Sequence, residues 1–164
     1  MKALNQEEEG FCFYVSGFVD GEGCFSVSFR TLSRATVGFE TRASFSVGQK
    51  QTKQNYKLLD RIRVLFKGGA IRDDKDGGYK YETRSLYHIR SDIIPFFKKY
   101  PLHTSKSVDF EIFCKICSLI AAKQHLNKAG LLQIIDLAKD MNPSGKRRLL
   151  LSSIRVQLGE NPKT

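Results

Sequence analysis

The 164-residue chain has no apolar run of the ~18 residues that a membrane-spanning helix needs, so no spanning helix is expected. Its first residues, Met1-Lys2-Ala3-Leu4-Asn5-Gln6-Glu7-Glu8-Glu9, contain no signal-peptide core and are too acidic for a transit peptide. The expected setting is therefore intracellular rather than secreted, in a reducing compartment. Cysteine is sparse. Cys12 and Cys24 lie far from Cys114 and Cys117, which form a lone C-x-x-C with no second Cys or His pair at zinc-ligand spacing. Helical i, i+3 spacing on a buried face accounts for that pair more simply. The acidic stretch Asp73-Asp74-Lys75-Asp76-Gly77-Gly78 lacks the closing Glu of a calcium-binding EF-hand loop and reads as a turn.

Acidic residues are also scarce over most of the length. Residues 1–23 hold five of the 17 acids and one of the 27 basic residues. The remainder therefore carries a large positive excess within a total of +10. A basic body beside a small acidic segment implies a polyanion partner, with nucleic acid foremost. Hydrophobic residues make up 41%, enough for a core that buries about two-thirds of the unfolded surface.

Periodicity orders the elements. Gln6 to Asp20 reads as a helix with Phe11, Phe13, Tyr14, Val15, Phe18 and Val19 on more than one face, as in a helix held between two bodies. From Cys24 the period becomes two: Phe25, Val27 and Phe29 alternate with Ser26, Ser28 and Arg30. A second strand over 39–49 alternates Phe39, Ala43, Phe45 and Val47 with Glu40, Arg42, Ser44 and Ser46. Helical spacing over 53–66 stops at Gly68-Gly69. Strands are expected at 70–72 and 79–90, and Ser91 is the expected cap of a short helix to Tyr100. Thr104 or Ser105 opens a long helix, Asn127 caps another, and a basic turn spans 142–148 before one more short helix. The fold class is α+β: two hairpins in one four-stranded, antiparallel or mixed sheet with helices on its apolar face. The other face gathers Ser26, Ser28, Arg30, Arg42, Ser44, Ser46, Arg72, Lys80, Glu82 and Arg84. Short polar side chains with interspersed Arg and Lys suit a sheet lying in a DNA major groove; a solvated sheet face would show the same alternation.

The first helix ends in two acids among glycines, Asp20-Gly21-Glu22-Gly23, where the negative end of the helix dipole disfavours them by ~0.3–1 kcal/mol. A carboxylate with an adjacent backbone carbonyl offers two oxygens of the kind Mg²⁺ accepts. Gly17 and Gly21, with Ser16 beside them, would also let two such helices pack closely. A glycine-rich helix stop with solvated acids has the same spacing.

Val15-Ser16-Gly17-Phe18-Val19-Asp20-Gly21-Glu22-Gly23 resembles the motif of LAGLIDADG homing endonucleases position by position, with Ser16 for Ala and Glu22 for Asp. Gly23-Cys24-Phe25-Ser26-Val27, Phe45-Ser46-Val47-Gly48-Gln49, Ser105-Lys106-Ser107-Val108-Asp109-Phe110 and His125-Leu126-Asn127-Lys128-Ala129-Gly130-Leu131 follow in family order. The resemblance implies an αββαββα homing-endonuclease fold forming one domain over 1–164. Within it, 6–23 is the interface and catalytic helix, 24–90 the DNA-binding sheet with its intervening helix, and 92–158 the C-terminal helices. It implies Glu22 as catalytic metal ligand with the Gly21 carbonyl, Gln49 positioning attacking water, and Lys106 supporting the developing phosphorane charge. The motif occurs once, which implies a homodimer paired through Phe13, Ser16, Gly17, Asp20 and Gly21. The implied activity is site-specific, double-strand cleavage of a palindromic or nearly palindromic DNA target, intron homing, with Mg²⁺ or Mn²⁺ and no small-molecule cofactor. The implied location is with the host genome, in a bacterial or archaeal cytoplasm or an organelle matrix. The alternative is a cleavage-inactive module on the same fold, an RNA maturase or DNA-binding regulator.

Overall fold

The computed structural model describes residues 5–74, 76–141 and 145–159, with residues 145–149 described in backbone only. The expected basic turn at 142–148 thus falls partly outside the described residues, and its last four positions are helical.

Helix α1 spans Gln6–Glu22. A capping box opens it: Asn5 Oδ1 accepts from the Glu8 amide at 2.8 Å, and Glu8 Oε2 accepts from the Asn5 amide at 2.9 Å. Cys12, Val15, Ser16 and Val19 form its buried stripe. The helix runs two residues beyond the expected end at Asp20, because Gly21 keeps a helical conformation and Gly23 makes the turn. Gly23 is extended, at φ −77° and ψ 158°, and its amide donates to the Val19 carbonyl. A Cβ there would lie 2.4 Å from Val19 Cγ1 and 2.7 Å from the Val19 carbonyl oxygen, so the close return of the chain requires glycine.

Strand β1, Gly23–Thr31, follows without a linker, and β2 covers Phe39–Lys50. Helix α2, Lys53–Leu65, is capped by the Thr52 hydroxyl. Strands β3, Ala70–Asp73, and β4, Gly78–Thr83, complete a four-stranded sheet of order β1-β2-β4-β3. Strand β4 pairs antiparallel with both β2 and β3. The expected strand over 79–90 is corrected: it ends at Thr83, and Ser85 caps a helical stretch well before Ser91. That stretch is α3, Leu86–His88, a π turn over Ile89–Ile93, and α4, Ile94–Lys99. Ile89, Ile93 and Phe97 are buried four residues apart, and this helical period prevails over the β propensity of the segment. Pro95 has no amide to donate and crowds the preceding turn, which widens so that the Ile94 amide reaches back to Ile89. Helices α5, Lys106–Ala121, α6, Lys128–Lys139, and α7, Gly145–Gln157, follow.

The chain divides into two compact units, 1–25 with 44–107, and 26–43 with 108–164. In the first, Phe25, Phe45, Phe66, Tyr81 and Phe97 form an aromatic core with ring centroids 5.2–6.2 Å apart. The Tyr81 hydroxyl donates to the Gly68 carbonyl at 3.0 Å, and burial pushes its phenol far above the ordinary range. In the second, α5 buries Phe110, Phe113, Ile116, Cys117 and Ile120, and α6 buries Leu131, Ile134, Ile135 and Ala138. Asn127 caps α6 by accepting from the Gly130 amide at 2.8 Å.

Candidate functional site

Glu22 is the last residue of α1, exposed, with no basic residue in the final helical turn. Its carboxylate makes no hydrogen bond or ion pair among the described residues. Immediately beyond it, Lys106 Nζ donates to the Gly23 carbonyl at 2.5 Å, so the first turn of α5 brings its ammonium beside the helix–strand junction. Glu22, Gly21 and Lys106 are therefore brought to one place. Gln49 is half-buried one residue before the end of β2, opposite Tyr79, and no side-chain hydrogen bond ties it to the other two.

Asp20 has a different environment. Its carboxylate accepts from the His103 amide at 2.7 Å, from the Thr104 hydroxyl at 2.7 Å and from the Thr104 amide at 3.2 Å. Partial burial pushes the carboxyl up, but the Thr104 and His103 hydrogen bonds outweigh it and hold the group below its usual range. Thr104 Oγ1 accepts in turn from the Lys106 amide at 3.2 Å, and the Thr104 carbonyl accepts from the Ser107 hydroxyl at 2.8 Å. His103 and Thr104 were not among the expected site residues. The signal available was Thr104 as a helix opener; its partner lies 84 positions away.

The outward face of α1 carries Phe13 and Tyr14, 59% and 51% exposed, with Gly10, Gly17 and Gly21. A Cβ at any of these glycines would meet nothing within 4 Å. Ser16 and Asp20 depart from the expected interface set. Ser16 sits on the buried stripe, and its hydroxyl donates to the Tyr100 and Pro101 carbonyls at 3.0 Å each. Asp20 is committed to the loop before α5.

The expected base-reading residues fall in both units. In the first, pairing sets Ser46 opposite Glu82, and Lys80 between Gly48 and Arg72, so all three polar strand faces coincide. Arg84 Nε donates to Glu82 Oε2 at 2.9 Å. Ser44 is half-buried, and Arg72 and Arg84 are exposed. Ser46, in a central strand, is only 5% exposed, so its hydroxyl offers little surface for a direct contact. In the second unit, Ser26, Ser28 and Arg30 occupy alternate positions of β1. Arg42 Nη2 bonds Glu40 at 2.8 Å.

Among the described residues no three His, Cys, Asp or Glu side chains gather as a metal cage. With Asp20 committed, the described residues of the α1–β1 junction offer one open carboxylate, Glu22, and the Gly21 carbonyl. That sparse set fits Mg²⁺, which keeps several waters and takes one or two carboxylates together with substrate phosphates.

The element order α-β-β-α-β-β-α, with a four-stranded sheet of order β1-β2-β4-β3 and a carboxylate at the end of the first helix, defines an α+β fold of the αββαββα class. Residues 15–117 match the profile described as LAGLIDADG endonuclease, and the chain belongs to that family. A Podospora anserina protein, "Uncharacterized 50.9 kDa protein in ND4 intron 1", is 32% identical over 116 residues, covering 71% of this chain and 26% of its own. The chain therefore spans about a quarter of that relative. The crystal structure of the homing endonuclease I-TnaI superposes with a TM-score of 0.82 at 31% identity, covering 90% of this chain and 97% of its own. The LAGLIDADG homing endonuclease I-SmaMI, solved bound to cleaved DNA, gives 0.80 at 30% identity, covering 99% of this chain and 52% of its own. I-SmaMI has also been solved on uncleaved DNA in the presence of calcium ions.

Proposed function

We propose that this chain is a site-specific, intron-homing DNA endonuclease that acts as a homodimer on a palindromic or nearly palindromic double-stranded target. The observation that carries this reading is the junction itself: an exposed Glu22 carboxylate at the end of α1, with the Lys106 ammonium held 2.5 Å from the next carbonyl. The DNA minor groove is only ~6 Å wide, so two centres that cut opposite strands across it must stand close together. The glycine-lined outer face of α1, with Phe13, Gly17 and Gly21, is the surface on which two copies would approach. A second copy, rather than another partner, suits a motif that occurs once in these 164 residues.

Glu22 and the Gly21 carbonyl would hold Mg²⁺ or Mn²⁺ against a scissile phosphate. When bound, the cation supplies Lewis-acid stabilisation and lowers the pKa of a bound water. Gln49 orients the attacking water, and the Lys106 ammonium offsets charge developing on the phosphorus oxygens. Arg30, Arg42, Arg72, Lys80 and Arg84, with Ser26, Ser28 and Ser44, read or grip the half-site, and Glu82 orients Arg84. The place of action is the compartment that holds the intron-bearing genome.

Incubation with Mg²⁺ and a randomised palindromic library tests the reading. Selective double-strand breaks are expected, with Glu22→Gln retaining DNA affinity while cleavage falls by at least ~10²-fold, the scale of lost electrostatic transition-state stabilisation. Binding without cleavage by the native chain would favour a maturase or regulator instead. Undiminished nicking by Glu22→Gln would overturn the assignment of Glu22.

A further inference from the structure

The motif's earlier acid, Asp20, lies two residues before the proposed metal ligand, yet its side chain faces its own chain rather than a cation or a second subunit. Four contacts bind it to two consecutive residues, His103 and Thr104. The Thr104 hydroxyl has one proton, and the 2.7 Å contact assigns it to Asp20 Oδ1. That choice leaves the hydroxyl lone pairs for the Lys106 amide, 3.2 Å away. The Lys106 side chain then returns to the Gly23 carbonyl at 2.5 Å. The bonds thus close a ring: Asp20 to Thr104, Thr104 to Lys106, Lys106 to Gly23, and Gly23 through Glu22 and Gly21 to Asp20.

Resting on the proposed role of Lys106 in cleavage, we infer that Asp20 is a positioning residue that sets the Lys106 ammonium beside Glu22 by orienting the Thr104 hydroxyl. A lysine stem has four rotatable bonds and is poorly fixed by one terminal contact, so its backbone must be held as well. The ring supplies that second anchor. Thr104 serves both partners at once, whereas a loop tie alone would require only the two amides at His103 and Thr104.

The test uses the full chain and a target selected by cleavage. Thr104→Val removes the relayed hydroxyl at nearly constant shape and leaves both amide bonds to Asp20. Thr104→Ser restores the hydroxyl. Single-turnover cleavage should slow about 10-fold in Thr104→Val and recover in Thr104→Ser, since small misplacements of catalytic groups cost one to two powers of ten. Dimer state and DNA affinity measured with Ca²⁺ should not change. In a Lys106→Met background, Thr104→Val should cost no further rate, because the two act as one unit. An amine-acylating reagent, read by mass spectrometry, should modify Lys106 several-fold faster in Thr104→Val than in the native chain. If Lys106→Met is slow but Thr104→Val slows it a further 10-fold, or if Lys106 acylation is unchanged, the positioning role is wrong while the nuclease reading stands. If Lys106→Met cleaves at the native rate, the placement of Lys106 in the nuclease centre fails first.

Discussion

Gly17→Leu separates the fold of one chain from the pairing of two. Within the chain a Cβ at Gly17 meets nothing within 4 Å, and Gly17 is exposed, so the leucine would start out into open space. It should even add roughly 0.5–1 kcal/mol of helix propensity, since glycine is costly in a helix interior. Between two copies the effect reverses. Four extra carbons per chain would be forced between helices that the proposed dimer brings backbone to backbone. Overpacking typically costs about 1–3 kcal/mol per site, and twofold symmetry doubles it to about 2–6 kcal/mol. The dimer dissociation constant should therefore rise between about 30-fold and 10⁴-fold. Sedimentation equilibrium across a dilution series reads this directly, and thermal melting of the dilute chain checks that the monomer fold is intact. Cleavage should fall in parallel, because a lone subunit carries a single Glu22. A Gly17→Leu chain that dimerises and cuts like the native one would refute the packing argument.

Further outcomes follow from other features. Gly23→Ala places a methyl 2.4 Å from Val19 Cγ1 and 2.7 Å from the Val19 carbonyl, and should lower the urea-unfolding free energy by about 1–3 kcal/mol. Phe45→Ala, at the centre of the aromatic core, should cost about 3–5 kcal/mol in the same assay. Lys80→Ala should weaken DNA binding almost equally for all sequences and reduce the salt slope by about one, if the ammonium meets a phosphate. Burial lowers the His125 pKa in the folded chain, with a lesser opposing effect from the Ile120 backbone, so the unfolded chain binds the proton more tightly. Its contribution is complete above pH 6.5, the ordinary histidine value, and is lost as pH falls from there toward the lower folded value. His125→Gln should flatten urea midpoints between pH 5.5 and 7.5; an unchanged slope would remove His125 as the cause.

Much of the fold is legible in the sequence where one period dominates. Strands β1 and β2 alternate cleanly, Asn127 caps the helix it precedes, and α2 carries its apolar residues at helical spacing. The boundary after Thr83 is hidden in the sequence because Tyr81, Thr83, Ser85, Tyr87 and Ile89 extend an alternation that the structure ends with the Ser85 cap. The helical period Ile89, Ile93, Phe97 only becomes visible once that boundary is set. In the site, Glu22 and the Lys106 segment could be picked out by motif. Ser16 resembles the glycines in size, but it lies on the inward stripe with Cys12, Val15 and Val19. The Asp20–Thr104 pair was beyond reach, since no local pattern reports a hydrogen bond across 84 residues.

The direct passage from Glu22 at the end of α1 to Gly23 at the start of β1 has a consequence for retargeting. The strand that carries Ser26, Ser28 and Arg30 begins one peptide bond after Glu22, so in the proposed enzyme the spacing along the chain from the cutting carboxylate to the strand that would read bases is fixed by the sequence. Substitutions along that strand should change which bases are accepted while the break stays at the same count from the centre of the target. The stagger of the cut would be a constant of the scaffold, and the recognised word its variable.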